Sequence, residues 1–166
     1  MNATLKKSLL PMIVIALLVF LGFQLSNKPS APAITFTTIE GKKISMESLK
    51  GKVVLVNFWA TDCPGCIKEM PQLMSTYNQY SKKGFEIIAV AMPYDPPAQV
   101  LNYATQKALP FPVMHDGLAE VTQKFGGVNL TPTAFIYDTQ GKLVRRTIGD
   151  LDFKALQQLL QKELGA

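Results

Sequence analysis

The chain has 166 residues, 48% of them apolar, and a net charge of +5, which suits one ordinary domain with a packed core plus a short appendage. Lys6, Lys7 and Lys28 flank the first apolar run, and from Ala33 onward 14 basic residues face 12 acidic ones with no basic stripe interleaved with aromatics, so nucleic acid is excluded as an expected partner. Only two cysteines occur, two residues apart, which excludes a secreted domain stapled across long loops and leaves chemistry as the better reason for the pair.

In chain order, residues 1–8 form a short N-terminus carrying Lys6 and Lys7. Residues 9–25 are an uncharged apolar run with one strongly polar member, Gln24. Its length is near the lower limit for spanning a bilayer and beyond the usual signal-peptide core. The residues after it offer no clean small-x-small cleavage site, so an uncleaved anchor is favoured over a cleaved signal. The preceding lysines place the N-terminus in the cytoplasm, so the domain faces the opposite, oxidising side. A bacterial inner-membrane protein with one span and an extracytoplasmic domain is the expected localisation. Residues 26–33 then read as a linker, stiffened by Pro29 and Pro32, and residues 34–166 as the domain.

Residues 34–43 suggest a small hairpin around Glu40-Gly41. The run 53–58 has the continuous apolar character of a strand buried on both faces. Residues 64–81 read as a helix with Ile67, Met70, Met74 and Tyr77 on one face, stopped by Lys82-Lys83-Gly84. Pro71 lies inside it and is expected to kink it. A second strand follows at 85–92, a helix at 96–108 with Pro97 in its first turn, a short strand at 111–114 and a short helix at 118–125. Strands at 133–137 and 142–148 meet at Thr139-Gln140-Gly141, and Asp152 caps a closing helix to about residue 163. Strand–helix–strand order followed by a hairpin predicts an α/β domain with a central mixed sheet flanked by helices.

The chemistry centres on Cys63-Pro64-Gly65-Cys66, which joins a buried strand to a helix. Such a strand ends at the carboxyl edge of the sheet, where α/β proteins gather their sites. Cys63 falls at or beside the helix N-cap and Pro64 at the first helical position. A thiolate there sees unpaired N–H groups and the positive end of the helix dipole, so Cys63, held half exposed, should ionise more readily than a free cysteine. One helical turn carries both sulfurs, so a disulfide can close and reopen without refolding. Cys63 is the expected nucleophile and Cys66 the resolving thiol. A zinc knuckle needs two further ligands, and His115 is the only histidine; no metal or other cofactor is expected. His115 itself reads as a satisfied or solvated side chain.

Glu69 shares a face with Cys66. It suits proton exchange with that thiol, but spacing alone slightly favours a solvated glutamate helping the positive helix end. Asp62, beside Cys63, opposes the dipole if it acts at all. Trp59 reads as packing or as one wall of the cysteine site.

The motifs Val-Asn-Phe-Trp-Ala-Thr before Cys63, Cys-Pro-Gly-Cys, Glu69-Met70-Pro71 and Thr131-Pro132-Thr133 resemble the thioredoxin superfamily, and within it the TlpA/ResA-like branch of membrane-anchored thiol–disulfide oxidoreductases. The resemblance covers roughly residues 34–163. It implies a thioredoxin-like fold with a β-α insert between about residues 85 and 111 and an N-terminal hairpin. It further implies a cis Pro132 close to the cysteines, a Thr131 whose backbone meets a bound partner chain, and a functional Glu69. Trp59, Pro64, Thr131 and Pro132 make up the substrate-contacting set it suggests. Proteins of this type mostly act as reductases of particular protein disulfides, often in apocytochrome c or copper-site proteins, fed by a transmembrane thiol donor. Asn57 stands where ordinary thioredoxins carry a buried aspartate, and Pro-Gly replaces Gly-Pro between the cysteines; both leave direction and potential open. A disulfide oxidase is the mirror case. A copper-binding or delivery module using the same thiols belongs to a different class. A peroxidase is weaker, since no arginine lies near Cys63 in sequence.

Overall fold

The structure, a computed structural model, describes residues 11–17, 20 and 28–165. Residues 11–17 and 20 are helical; the rest of the expected anchor at 9–25, and all of 1–8, lie outside the described residues. Among the described residues no helix is long and apolar enough to cross a membrane.

A two-stranded antiparallel hairpin, β1 (Thr35–Thr37) and β2 (Lys43–Ser45), opens the domain. There follow β3 (Val53–Trp59), α1 (Pro64–Tyr80), β4 (Phe85–Ala91), α2 (Pro97–Gln106), β5 (Val113–His115), α3 (Glu120–Lys124), β6 (Thr133–Tyr137), β7 (Leu143–Ile148) and α4 (Phe153–Leu164). The main sheet has the order β5-β4-β3-β6-β7. Strands β3, β4 and β5 run parallel, while β6 and β7 add antiparallel neighbours.

All seven residues of β3 are buried, because the pleat sends alternate side chains into two different cores. Val53, Leu55 and Trp59 meet one layer built from α1, α2 and α4, including Met70, Leu73, Val100, Leu156 and Leu160. Val54, Val56 and Phe58 meet a second layer formed by the hairpin and α3. There the rings of Phe58, Phe125 and Phe135 contact one another edge-on at 5.1–5.9 Å, an arrangement that adds to plain area burial.

Several boundaries differ from the sequence-based expectation. Strand β5 starts at Val113, two residues late, because Pro112 has no N–H; its carbonyl instead accepts from the Ala89 N–H at 2.9 Å. Helix α3 starts at Glu120, because the buried carboxylate of Asp116 accepts the N–H groups of Val121 and Thr122. Leu118, expected inside that helix, is exposed before it. Strand β4 is an inner strand paired along its length to β3, and α2 and the edge strand β5 follow it. In α1 the fully buried stripe is Cys66, Met70, Leu73 and Tyr80 rather than the expected Ile67, Met70, Met74 and Tyr77. Ile67, Met74 and Tyr77 pack at the margin of that core. The helix continues through Pro71.

The closing helix is capped as its sequence suggests, with the Asp152 carboxylate accepting the Ala155 N–H at 3.0 Å. Asp152→Ala should therefore cost about 1 kcal/mol. A urea-unfolding midpoint unchanged from wild type would show that this cap contributes nothing.

Candidate active site

Strand β3 delivers the chain to the carboxyl edge of the sheet, and a turn closed by the Cys63 N–H donating to the Ala60 carbonyl (3.2 Å) leads into α1. Cys63 takes the N-cap in an extended conformation, and Pro64 follows at the first helical position, where a missing N–H costs nothing. The Cys63 sulfur accepts the Cys66 N–H at 3.3 Å. This contact satisfies one of the orphan donors of the helix start, and it is the contact that favours a thiolate on reduction. In the structure the two cysteines form a disulfide, with Cα atoms 5.3 Å apart.

Cys63 is less open than expected. It is 8% exposed rather than half exposed, and Cys66 is fully buried. The reason is local: the Cys63 sulfur bonds Cys66 and accepts its N–H, which holds it in against the helix start. Pro64 beside it is exposed.

The Thr131–Pro132 peptide is cis. The Pro132 ring lies directly against the helix start: a Cβ on Gly65 would stand 3.4 Å from Pro132 Cδ and 3.4 Å from an Asp150 carboxylate oxygen. The cis-proline loop thus lies within van der Waals reach of the turn that holds both sulfurs. Pro132 is buried, and Thr131 is half-buried. Trp59, expected on the substrate side, is fully buried; its ring packs 5.3 Å from that of Tyr103. It supports the site from below instead of facing a partner.

Glu69, for which spacing alone favoured a solvated role, is 7% exposed. Among the described residues its only hydrogen bond is from the Leu151 N–H, at 3.4 Å. Burial raises its pKa to about 7; the Leu151 N–H opposes the rise, nearby Asp150 adds to it, and the Asn57 amide opposes it weakly. The Asn57 approach falls short of hydrogen-bond geometry, since neither amide atom has a partner among the described residues. A carboxyl group one turn from a buried thiol, poised near neutrality, can accept a proton from it and return it. Asp150 itself is exposed and pairs loosely with Lys68 at 3.8 Å, a contact worth little in water.

Two further residues were not singled out from the sequence. Asp95, in the loop after β4, is 2% exposed and accepts both the N–H and the hydroxyl of Thr61, at 2.7 and 2.6 Å. Tyr94, next to it, brings its hydroxyl within 3.4 Å of that of Thr131. A buried-strand end followed by Pro-Tyr-Asp-Pro-Pro was the available signal, because that edge of the sheet gathers loops around the site. His115, expected to be satisfied or solvated, is half-buried, and its Nε2 has no partner among the described residues. Among those residues no group of three or more His, Cys, Asp or Glu side chains is placed to hold a metal ion.

The Redoxin family model matches residues 26–160. The thiol–disulfide oxidoreductase ResA of Bacillus thuringiensis (strain Al Hakam) is 40% identical over 132 residues, covering 80% of this chain and 75% of the relative. The ResA of Bacillus subtilis (strain 168) is 34% identical over 134 residues, with 80% and 74% covered. Among solved structures, a thiol:disulfide interchange protein of the thioredoxin family from Chlorobium tepidum superposes with a TM-score of 0.76 at 29% identity, covering 84% of this chain and 99% of that one. StoA from Bacillus subtilis superposes with a TM-score of 0.66 at 28% identity, covering 78% and 98%. The mixed sheet and its flanking helices are thus a thioredoxin-like fold.

Proposed function

This chain belongs to the Redoxin family and is a protein thiol–disulfide oxidoreductase, and we propose that it runs in the reducing direction, with Cys63 attacking and Cys66 resolving. The observation that carries this reading is the cystine at the first turn of α1 with the buried carboxyl of Glu69 one turn further on.

The reduced protein starts the cycle. The Cys63 thiolate, favoured by the helix start, attacks one sulfur of a partner disulfide. A bond forms between Cys63 and that sulfur, and the partner's other sulfur leaves as a thiolate and takes a proton. Glu69 accepts the proton of Cys66, whose thiolate attacks Cys63. The Cys63–Cys66 bond forms, and the second partner sulfur departs as a thiolate, which is then protonated. The partner has gained two electrons and two protons, and this protein ends in the disulfide form seen here. A membrane thiol donor returns it to the dithiol.

The partner disulfides belong to extracytoplasmic proteins, of which apocytochrome c and copper-site proteins are the candidates that the ResA-like character supports. Thr131 and Pro64 offer the surface such a chain meets, with the buried cis Pro132 setting the Thr131 backbone. Residues 9–25 tether the domain to the inner membrane, with residues 26–33 as linker and the domain outside. The apolar run and its flanking lysines support that placement.

Equilibration of the Cys63–Cys66 couple with glutathione tests the direction. A reductase requires a potential below roughly −230 mV. A value near that of the strong oxidants, about −120 mV, together with no reduction of any protein disulfide, would assign the mirror activity instead.

A further inference from the structure

The loop between β4 and α2 does more than connect them. It reads Met92-Pro93-Tyr94-Asp95-Pro96, so two of its five residues have a fixed φ, and a third proline, Pro97, opens α2. Its base is tied to the active-site strand by the Met92 N–H donating to the Trp59 carbonyl at 3.0 Å. From this stiff arm the Asp95 side chain reaches under the turn Ala60–Cys63 and takes both donors of Thr61, the backbone N–H and the hydroxyl. The Gln99 side chain, from the first turn of α2, lies 3.2 Å from the same hydroxyl. A buried carboxylate with two short bonds from one residue is a specific and costly arrangement, since both partners lose water on folding. It grips the middle of the four-residue turn that carries Cys63 to its N-cap.

We infer that Asp95 is a positioning residue for Cys63: through Thr61 it holds the Ala60–Cys63 turn so that the Cys63 sulfur stays at the start of α1 once the disulfide opens. This rests on the reading of Cys63 as the attacking thiol. In the oxidised form the bond to Cys66 already holds Cys63 in place. On reduction that covalent tie is lost, and the grip on Thr61 remains. Asp95 therefore stabilises the dithiol more than the disulfide, which a residue serving only the fold would not do.

The test is the thiol–disulfide equilibrium constant against glutathione, measured on the full chain beside thermal unfolding of both redox forms. Asp95→Ala should shift the equilibrium toward the disulfide by about tenfold, the scale set by losing a hydrogen bond to a charged group. Its dithiol form should lose more stability than its disulfide form. Asp95→Asn should restore the constant to within about twofold of wild type, because an amide can accept the Thr61 N–H and donate to its hydroxyl oxygen. If Asp95→Ala does not fold, Thr61→Val carries the test. It drops the hydroxyl's contacts with Asp95 and Gln99, keeps the backbone N–H bond, and should shift the constant in the same direction by about threefold. An unchanged constant with equal destabilisation of both forms would overturn the inference and leave Asp95 a structural residue. A wild-type protein that fails to exchange with glutathione at all would instead sink the reading of Cys63 on which the inference stands.

Discussion

Cys66→Ser should convert the protein from a turnover catalyst into a trap. Cys63 keeps its place at the helix N-cap, since the N–H it faces belongs to the backbone of residue 66 and survives the change. It should still attack a partner disulfide, but no second thiol remains to displace the product. Residue 66 is fully buried, so an outside thiol reaches the mixed bond only from the partner's side. Steady turnover should fall by at least about a thousandfold, the scale of losing one member of a unit that acts together. A covalent adduct should accumulate and disappear on adding dithiothreitol. Non-reducing gels and intact-mass analysis read it directly. Turnover within tenfold of wild type, with no adduct, would mean that Cys66 is not the resolving thiol.

Glu69→Gln should have the second largest effect. Its carboxyl sits near pKa 7 mainly because burial disfavours the charge. In wild type the resolving step should quicken as pH rises through about 7, when the carboxylate becomes available to take the Cys66 proton. The variant should lose that inflection and resolve about a hundredfold more slowly at pH 7.5. Stability should move the other way. The native pKa, about 7, lies above the unfolded value, 4.5, so the folded state binds this proton more tightly. The stabilisation from this group is complete below pH 4.5 and is lost as pH rises from 4.5 to 7. Glu69→Gln removes that loss and should be more stable than wild type above pH 7, by on the order of 1 kcal/mol after allowing for partial solvent screening. Single-turnover kinetics of mixed-disulfide decay and urea unfolding at pH 5 and pH 8 measure the two effects. An unchanged pH profile would leave Glu69 a packed structural residue.

Much of this site was legible because its signals are local. The unbroken apolar run of β3 reads as a strand buried on both faces, and Cys63-Pro64 reads as a cap and first helical residue. Both are set by neighbours within a few positions. What stayed hidden depends on contacts between distant parts of the chain. Spacing put Glu69 on the face of Cys66, but its burial comes from the Leu151 backbone, 82 positions away. Asp95 and Thr61 are 34 residues apart, and no periodicity couples a loop carboxylate to a turn hydroxyl. Trp59 shows the same limit: its sequence position placed it beside the cysteines, but which way the pleat turned it depended on how β3 packs between two layers. The buried stripe of α1 differed for a related reason. Helix-wheel reasoning fixes relative angles along a helix, whereas the docking of α1 on the sheet chose Leu73 and Tyr80 over Met74 and Tyr77.

Disulfide exchange by this protein depends on a Cys63 sulfur that ionises easily when reduced, and its alkylation rate as a function of pH measures this most directly. In the Cys66→Ser variant Cys63 is the only thiol. Its reaction with iodoacetamide should follow a single titration with a midpoint clearly below the value near 8.5 of a free cysteine, so that a larger fraction of the thiol is ionised at neutral pH than in a free cysteine. A midpoint at or above that of a free thiol, with a rate at pH 7 no faster than that of a small-molecule cysteine, would contradict it.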